Sequence, residues 1–142
     1  MARTTRYFAY GSNLSLGQMA KRCPASRPAG RARLDGWRFR IMARGYATVV
    51  PEPGAAVHGL LWNLTPDDER TLDAYEGVSE QHYRKDVLAV GVGDGALDAM
   101  VYVGLDPGTG RPVAGYLERV LTAARDLGLP ADYVAELEGW RP

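Results

Sequence analysis

Tyr83-Arg84-Lys85-Asp86-Val87-Leu88-Ala89-Val90 is followed by Gly91-Val92-Gly93-Asp94-Gly95, and two residues later by Leu97-Asp98-Ala99-Met100-Val101-Tyr102-Val103. Two strand-length runs rich in Val and Tyr, parted by a glycine-rich turn, read as a β-hairpin. A hairpin joins antiparallel neighbours without a crossover helix, so a regular doubly wound parallel sheet is disfavoured. Upstream of the hairpin, Thr65-Pro66-Asp67-Asp68 reads as a helix start. Thr65 is a natural N-cap, Pro66 suits the first helical position, and the acids suit the positive end of the helix dipole. That helix is expected to run to Tyr75 or Glu76 and to stop at Gly77.

Further upstream, three strands are expected: residues 31–42, residues 47–50 and residues 56–62. Pro28 and Gly30 read as a turn before the first. Pro51-Glu52-Pro53-Gly54 reads as the turn that stops the second. Tyr7-Phe8-Ala9-Tyr10 is a short aromatic strand, broken by Gly11-Ser12-Asn13. Ser15-Leu16-Gly17-Gln18 then reads as a capping box opening a short helix that ends near Cys23-Pro24. Downstream, residues 107–110 form a loop. Apolar residues at 113, 116, 117, 120, 121 and 124 follow helical spacing up to Gly128, and Pro130 starts a last short helix through Leu137. The order β-α-β-β-β-α-β-β-α-α implies one α+β domain over residues 1–142, with a mixed or mainly antiparallel sheet. Strand twist could close that sheet into a small barrel.

Composition narrows the function classes. The 142 residues carry 17 Lys+Arg against 17 Asp+Glu, so no net charge drives the chain onto nucleic acid or an acidic membrane. Residues 1–50 hold ten basic side chains and one acid, while the remainder holds seven and sixteen. The pairs Arg31/Arg33 and Arg38/Arg40 put this positive charge on one face of a strand, as on a solvated surface. A single cysteine, Cys23, excludes an internal disulfide and a zinc site built on several thiolates. The two histidines, His58 and His82, have no metal-binding spacing. No apolar run approaches the ~20 residues of a membrane-spanning helix. Met1-Ala2-Arg3-Thr4-Thr5-Arg6 leads straight into a strand with no signal-peptide core, so a cytoplasmic location is expected.

Two places offer chemistry. In Tyr10-Gly11-Ser12-Asn13-Leu14 a strand runs through a glycine turn into a helix. Glycine admits positive φ and close backbone approach, and consecutive N–H groups in such a turn can converge on a carboxylate. The spacing matches neither a phosphate-binding P-loop nor a nucleophile elbow. In Leu72-Asp73-Ala74-Tyr75-Glu76-Gly77-Val78, Glu76 sits at a helix C-terminus among apolar residues. Both the dipole and the low polarity raise the pKa of a carboxyl group there, which suits it to proton transfer near neutral pH. Ser12 has no triad partners, His58 lies in an apolar strand, and Cys23 shows no activating neighbour. Tyr83, Tyr102 and Tyr116 are core aromatics whose hydroxyls could also orient a polar ligand.

Tyr7-Phe8-Ala9-Tyr10-Gly11-Ser12-Asn13-Leu14, the Leu72–Val78 stretch, and Tyr83 seven residues after Glu76 together resemble the signatures of the γ-glutamylcyclotransferase-like superfamily, which includes the AIG2-like proteins. The likeness runs from about Tyr7 to Leu137. It implies a small mixed, mainly antiparallel β-barrel with flanking helices. It implies an enzyme that cyclises a γ-glutamyl amide to 5-oxoproline and frees the amine, with Glu76 as general acid/base. Tyr10, Gly11, Ser12, Asn13 and Leu14, with Tyr83, Tyr102 and Tyr116, would form the substrate site. No cofactor or metal would be needed. The partner would be a small γ-glutamyl molecule, not nucleic acid or membrane, and the protein a monomer or homodimer. Loops at residues 27–30, 43–46 and 78–81 would select the leaving amine, whose identity stays open. A non-catalytic ligand-binding module on the same fold is the alternative.

Overall fold

In the computed structural model, residues 3–142 are described; Met1 and Ala2, the start of the N-terminal stretch read above, lie outside them. The elements run β1 (Thr5–Ala9), a 3-10 turn (Ser12–Leu14), α1 (Leu16–Arg22), β2 (Arg27–Ile41), β3 (Ala47–Leu64), α2 (Pro66–Glu76), β4 (Tyr83–Val92), β5 (Gly95–Gly104), α3 (Tyr116–Asp126) and α4 (Ala131–Glu138). The strands close into a barrel in the order β1-β3-β2-β4-β5. Neighbours are antiparallel except where β1 meets β5 in parallel, with Tyr7 opposite Met100. The expected α+β architecture, a mainly antiparallel mixed barrel with flanking helices, is the observed one. Among the described residues no helix is long and apolar enough to cross a membrane.

The β4–β5 hairpin is tighter than expected. Val92 already faces Gly95, which leaves Gly93-Asp94 as a two-residue turn, and Gly93 has φ 58°. Turns of this kind match the right-handed twist of the flanking strands.

Two expected turns are instead bulges inside long strands. Pro51-Glu52-Pro53-Gly54 does not end a strand; residues 47–50 and 56–62 belong to one element, β3, of 18 residues. The ladder to β2 jumps from Asp35 opposite Ala56 to Trp37 opposite Pro51, and Gly36 (φ 82°) and Gly54 (φ 85°) take left-handed backbone there. Pro28 and Gly30 likewise lie within β2, at a second register shift between Pro28 and Arg31. Proline lacks the N–H that a regular ladder uses, and a bulge is where a strand tolerates that loss. Each bulge also adds local bend and twist, which barrel closure needs. The real turn of this hairpin is 42–46, where Met42 N–H donates to the Tyr46 carbonyl at 2.8 Å.

In β2, Ala32, Leu34, Phe39 and Ile41 are buried while Arg31 and Arg38 are exposed, so the arginine pairs do form an outer face. The basic first third is interleaved with the acidic remainder: Arg38 pairs with Glu52, and Arg40 donates to the Asp106 and Pro107 carbonyls. Phe8, Phe39, Ile41, Leu61, Leu64, Leu72 and Leu121 are wholly buried and join barrel to helices. Each such side chain stabilises the fold by about 1.5–3 kcal/mol relative to exposure.

Candidate active site

The chain leaves β1 at Ala9 and turns at Gly11 into the 3-10 turn. Leu14 N–H donates to the Gly11 carbonyl and Ser15 N–H to the Ser12 carbonyl, both at 3.1 Å. The N–H groups that open such a turn have no acceptor inside it. Gly11 has φ −107°, so positive φ is not what requires glycine there. Space is: a β-carbon at position 11 would lie 2.8 Å from the Tyr116 hydroxyl.

Ser15 caps α1, accepting from the Gln18 N–H at 3.1 Å. The second half of the expected capping box is diverted. Gln18 Nε2 donates to Ser12 Oγ at 2.8 Å and to Asn13 Oδ1 at 3.0 Å. One helical turn on, Arg22 donates to the same Asn13 oxygen at 3.2 Å, and Asn13 Nδ2 donates to the Tyr7 hydroxyl at 3.1 Å. Asn13 is only 3% exposed, so its amide is fixed from both ends.

The opposite wall comes from α2. Thr65 accepts from the Asp68 N–H and Pro66 opens the helix, as expected. Gly77 (φ 65°) closes it: its N–H donates to the Ala74 carbonyl at 3.2 Å and the Val78 N–H to the Asp73 carbonyl at 3.0 Å. This paired bonding is a Schellman end, and it presents Glu76 as the last helical residue.

Gly11, Ser12, Asn13 and Glu76 line one cavity of about 420 Å³, together with Tyr10, Tyr83, Tyr102 and Tyr116. Leu14 is the exception among the sequence-predicted site residues. It is wholly buried and does not line the cavity, so it supports the turn from behind. Burial pushes the Glu76 carboxyl up to about 7; Arg22 and Arg44 pull it down, and Asp73 pushes it up. Glu76 keeps partial surface exposure because it opens onto the cavity, while protein packs densely around it.

The phenols are tied to the framework. Tyr10 donates to the Tyr102 carbonyl at 2.5 Å, Tyr83 to the Ala47 carbonyl at 2.6 Å, and Tyr102 to Asp73 Oδ1 at 2.7 Å. The Tyr116 hydroxyl accepts from the Ala47 N–H at 3.3 Å. Burial raises the pKa of all four, so they serve as neutral hydrogen-bonding groups. His58 is half-buried against the Tyr133 ring, away from this cavity, and burial lowers its pKa. Cys23 is buried, and its thiol is pushed up to about 11.

Sequence reasoning did not single out Tyr7, Gln18, Arg22 or Arg44 as cavity residues. Gln18 and Arg22 carried a signal: four residues apart, they share one face of α1. The Arg22 guanidinium also lies 4.2 Å from the centre of the Tyr75 ring. Arg44 belongs to the 43–46 segment, which now stands at the cavity. Among the described residues, no group of three or more His, Cys, Asp or Glu side chains is arranged to hold a metal ion.

The model of the AIG2-like family matches residues 56–137, a stretch that contains Glu76. The chain belongs to the AIG2-like family. It is 26% identical to γ-glutamylcyclotransferase of Homo sapiens, over 96% of this chain and 78% of that protein. It is 27% identical to γ-glutamylcyclotransferase of Mus musculus, over 98% and 80%. A solved structure of a γ-glutamyl cyclotransferase matches with a TM-score of 0.91 at 25% identity, covering 99% of this chain and 89% of that one. The chain is thus γ-glutamylcyclotransferase-like in sequence and fold over nearly its whole length.

Proposed function

We propose that this protein cyclises a γ-glutamyl amide to 5-oxoproline and releases the free amine, with Glu76 as general acid/base. One observation carries the reading: a carboxyl group held near neutrality opens onto the same cavity as the Gly11–Asn13 turn. The α-amine of the glutamyl group attacks its own γ-carbonyl carbon. A new C–N bond closes the five-membered lactam, and the C–N bond to the departing amine breaks. Ionised Glu76 takes the proton that the attacking nitrogen sheds, then returns one to the leaving nitrogen. A group with pKa near the working pH does both with least penalty.

Nucleophile and electrophile sit in one molecule, so holding a folded near-attack conformer is most of the task. Such pre-organisation supplies up to roughly 7–11 kcal/mol in favourable intramolecular systems. The turn N–H groups receive the glutamyl α-carboxylate, and Arg22 and Arg44 supply positive potential to the cavity. The neutral phenols exclude water and orient the amide.

The test is a panel of γ-glutamyl amino acids and γ-glutamyl amines, with 5-oxoproline followed by mass spectrometry. Turnover by the wild type, lost in Glu76→Gln while the fold persists, is the expected result. Thermal stabilisation by these compounds with no product would instead identify a binding module. Full turnover by Glu76→Gln would remove the proton-shuttle role.

A further inference from the structure

Three carboxylates lie along one side of α2 at Glu69, Asp73 and Glu76, spaced by four and three residues, so that each stands one helical turn from the next. Like charges in such a row repel unless something separates them. Lys85 of β4 does so for the first two: its Nζ donates to Asp73 Oδ2 at 3.0 Å and also to Glu69 Oε2. The Thr5 hydroxyl donates to the other oxygen of Glu69. The other oxygen of Asp73, Oδ1, accepts from the Tyr102 hydroxyl at 2.7 Å, and the Tyr102 carbonyl accepts from the Tyr10 hydroxyl. A polar chain thus runs from Lys85 of β4 through Asp73 to the Tyr102 hydroxyl on the cavity wall, and Tyr10 holds the backbone of the same tyrosine. Lys85 and Asp73 are each 29% exposed and Glu69 is 22% exposed, so this is not a loose surface pair.

Glu76 faces charge from several directions. Arg22 of α1 and Arg44 of the β2–β3 turn favour its ionised form. Arg119 of α3 and His82 of the α2–β4 loop also line the cavity, as do the phenols of Tyr7, Tyr10, Tyr46, Tyr75, Tyr83, Tyr102 and Tyr116. Asp73 is the acid that opposes ionisation. It is also the acceptor that locks Tyr102.

We propose that Asp73, held by Lys85, is a positioning residue: it fixes the Tyr102 hydroxyl on the cavity wall and holds a negative charge one helical turn from Glu76. The inference rests on Glu76 as the proton shuttle only where activity is the readout. Lys85 moderates the Asp73 charge, so removing Lys85 and removing the Asp73 charge act on Glu76 in opposite senses. An effect that was merely structural would not change sign between the two.

The experiment titrates Glu76 directly, by 13C NMR of protein labelled at the Glu carboxyl carbon, with the signal assigned from Glu76→Gln. It runs on the wild type, Asp73→Asn, Lys85→Met and Lys85→Arg. Asparagine keeps an acceptor for Tyr102, and arginine keeps the charge at position 85. Asp73→Asn is expected to lower the Glu76 midpoint, and Lys85→Met to raise it, each by roughly half a pH unit, while Lys85→Arg stays at the wild-type value. Midpoints that do not move, or that move the same way in Asp73→Asn and Lys85→Met, overturn the proposal whatever the activity. The acid limb of kcat/KM, measured on any γ-glutamyl amide that the wild type converts, is expected to follow the NMR midpoints. If the midpoints move as stated and the limb does not, the positioning role stands and the assignment of Glu76 as shuttle fails.

Discussion

The Tyr116 hydroxyl occupies the space that a β-carbon on Gly11 would enter, 2.8 Å away, and so helix α3 clamps the turn that opens the cavity. The same hydroxyl accepts from the Ala47 N–H, which ties β3 to this contact. Gly11→Ala is therefore expected to force the phenol or the turn aside. Overpacking of this kind destabilises by about 1–3 kcal/mol. Catalytic efficiency is expected to fall further than stability, because the displaced groups are the cavity walls. Tyr116→Phe in the Gly11→Ala background restores room, and recovery of thermal stability in the double variant checks the contact. Equal instability of the single and double variants would mean that the Tyr116 hydroxyl is not what requires glycine at position 11.

A second expectation concerns the pH dependence of turnover. Glu76 must be ionised to take a proton, and burial holds it at about 7. Below that pH, kcat/KM on a γ-glutamyl amide is expected to fall about tenfold per pH unit. A limb that began near the ordinary glutamate value would mean that burial does not act on the group that limits the rate.

The same burial costs stability, and its sign is fixed. The folded protein holds a proton on Glu76 up to about 7, while an unfolded chain releases it near the usual 4.5. Between those values the native state binds more protons, so stability falls as pH rises through the window and stays lower above it. Glu76→Gln removes the penalty. It is expected to unfold like the wild type near pH 4 and to be more stable at pH 8, by roughly 1–3 kcal/mol. Thermal melts of the two proteins at both pH values decide it. A variant that gains nothing at pH 8 would show that the carboxylate is well solvated or well paired in the cavity.

What the sequence made legible was local. The Thr65 cap and the Gly77 stop each depend on a few adjacent residues and stand as read, and the β4–β5 turn lies where it was read but is narrowed to Gly93-Asp94. The continuity of β3 through Pro51-Glu52-Pro53-Gly54 depends on β2, because a bulge is defined by its partner strand and not by the bulged residues alone. The demand for glycine at position 11 was legible, but its cause was not: it comes from Tyr116, far along the chain. Gln18 read as a capping residue because the motif considers only the helix it opens. Its side chain turned instead to Ser12 and Asn13, which the fold of the preceding turn brings closer. Arg22 and Arg44 enter the cavity only once α1 and the β2–β3 turn are packed; the spacing of Gln18 and Arg22 shows a shared helix face but not what that face meets.

Asn13 offers the sharpest separation of structure from chemistry. Its amide gives one hydrogen bond to Tyr7 and takes one each from Gln18 and Arg22. Asn13→Ala leaves all three without that partner at a buried position, which costs about 1–3 kcal/mol where a buried group stays unsatisfied. Asn13→Asp keeps oxygens for Gln18 and Arg22, and the Tyr7 hydroxyl can rotate to donate to the carboxylate. Asn13→Asp is therefore expected to melt above Asn13→Ala at neutral pH. Its new negative charge stands on the cavity that Glu76 shares, so the acid limb of its kcat/KM profile is expected to move to higher pH. Asn13→Ala, which adds no charge, is expected to lose catalytic efficiency without moving that limb. If Asn13→Ala instead turned over γ-glutamyl amides as the wild type does, the glycine turn would not be what holds the substrate, and the anchor would have to be sought among the other cavity groups, Arg44 and Arg119 first.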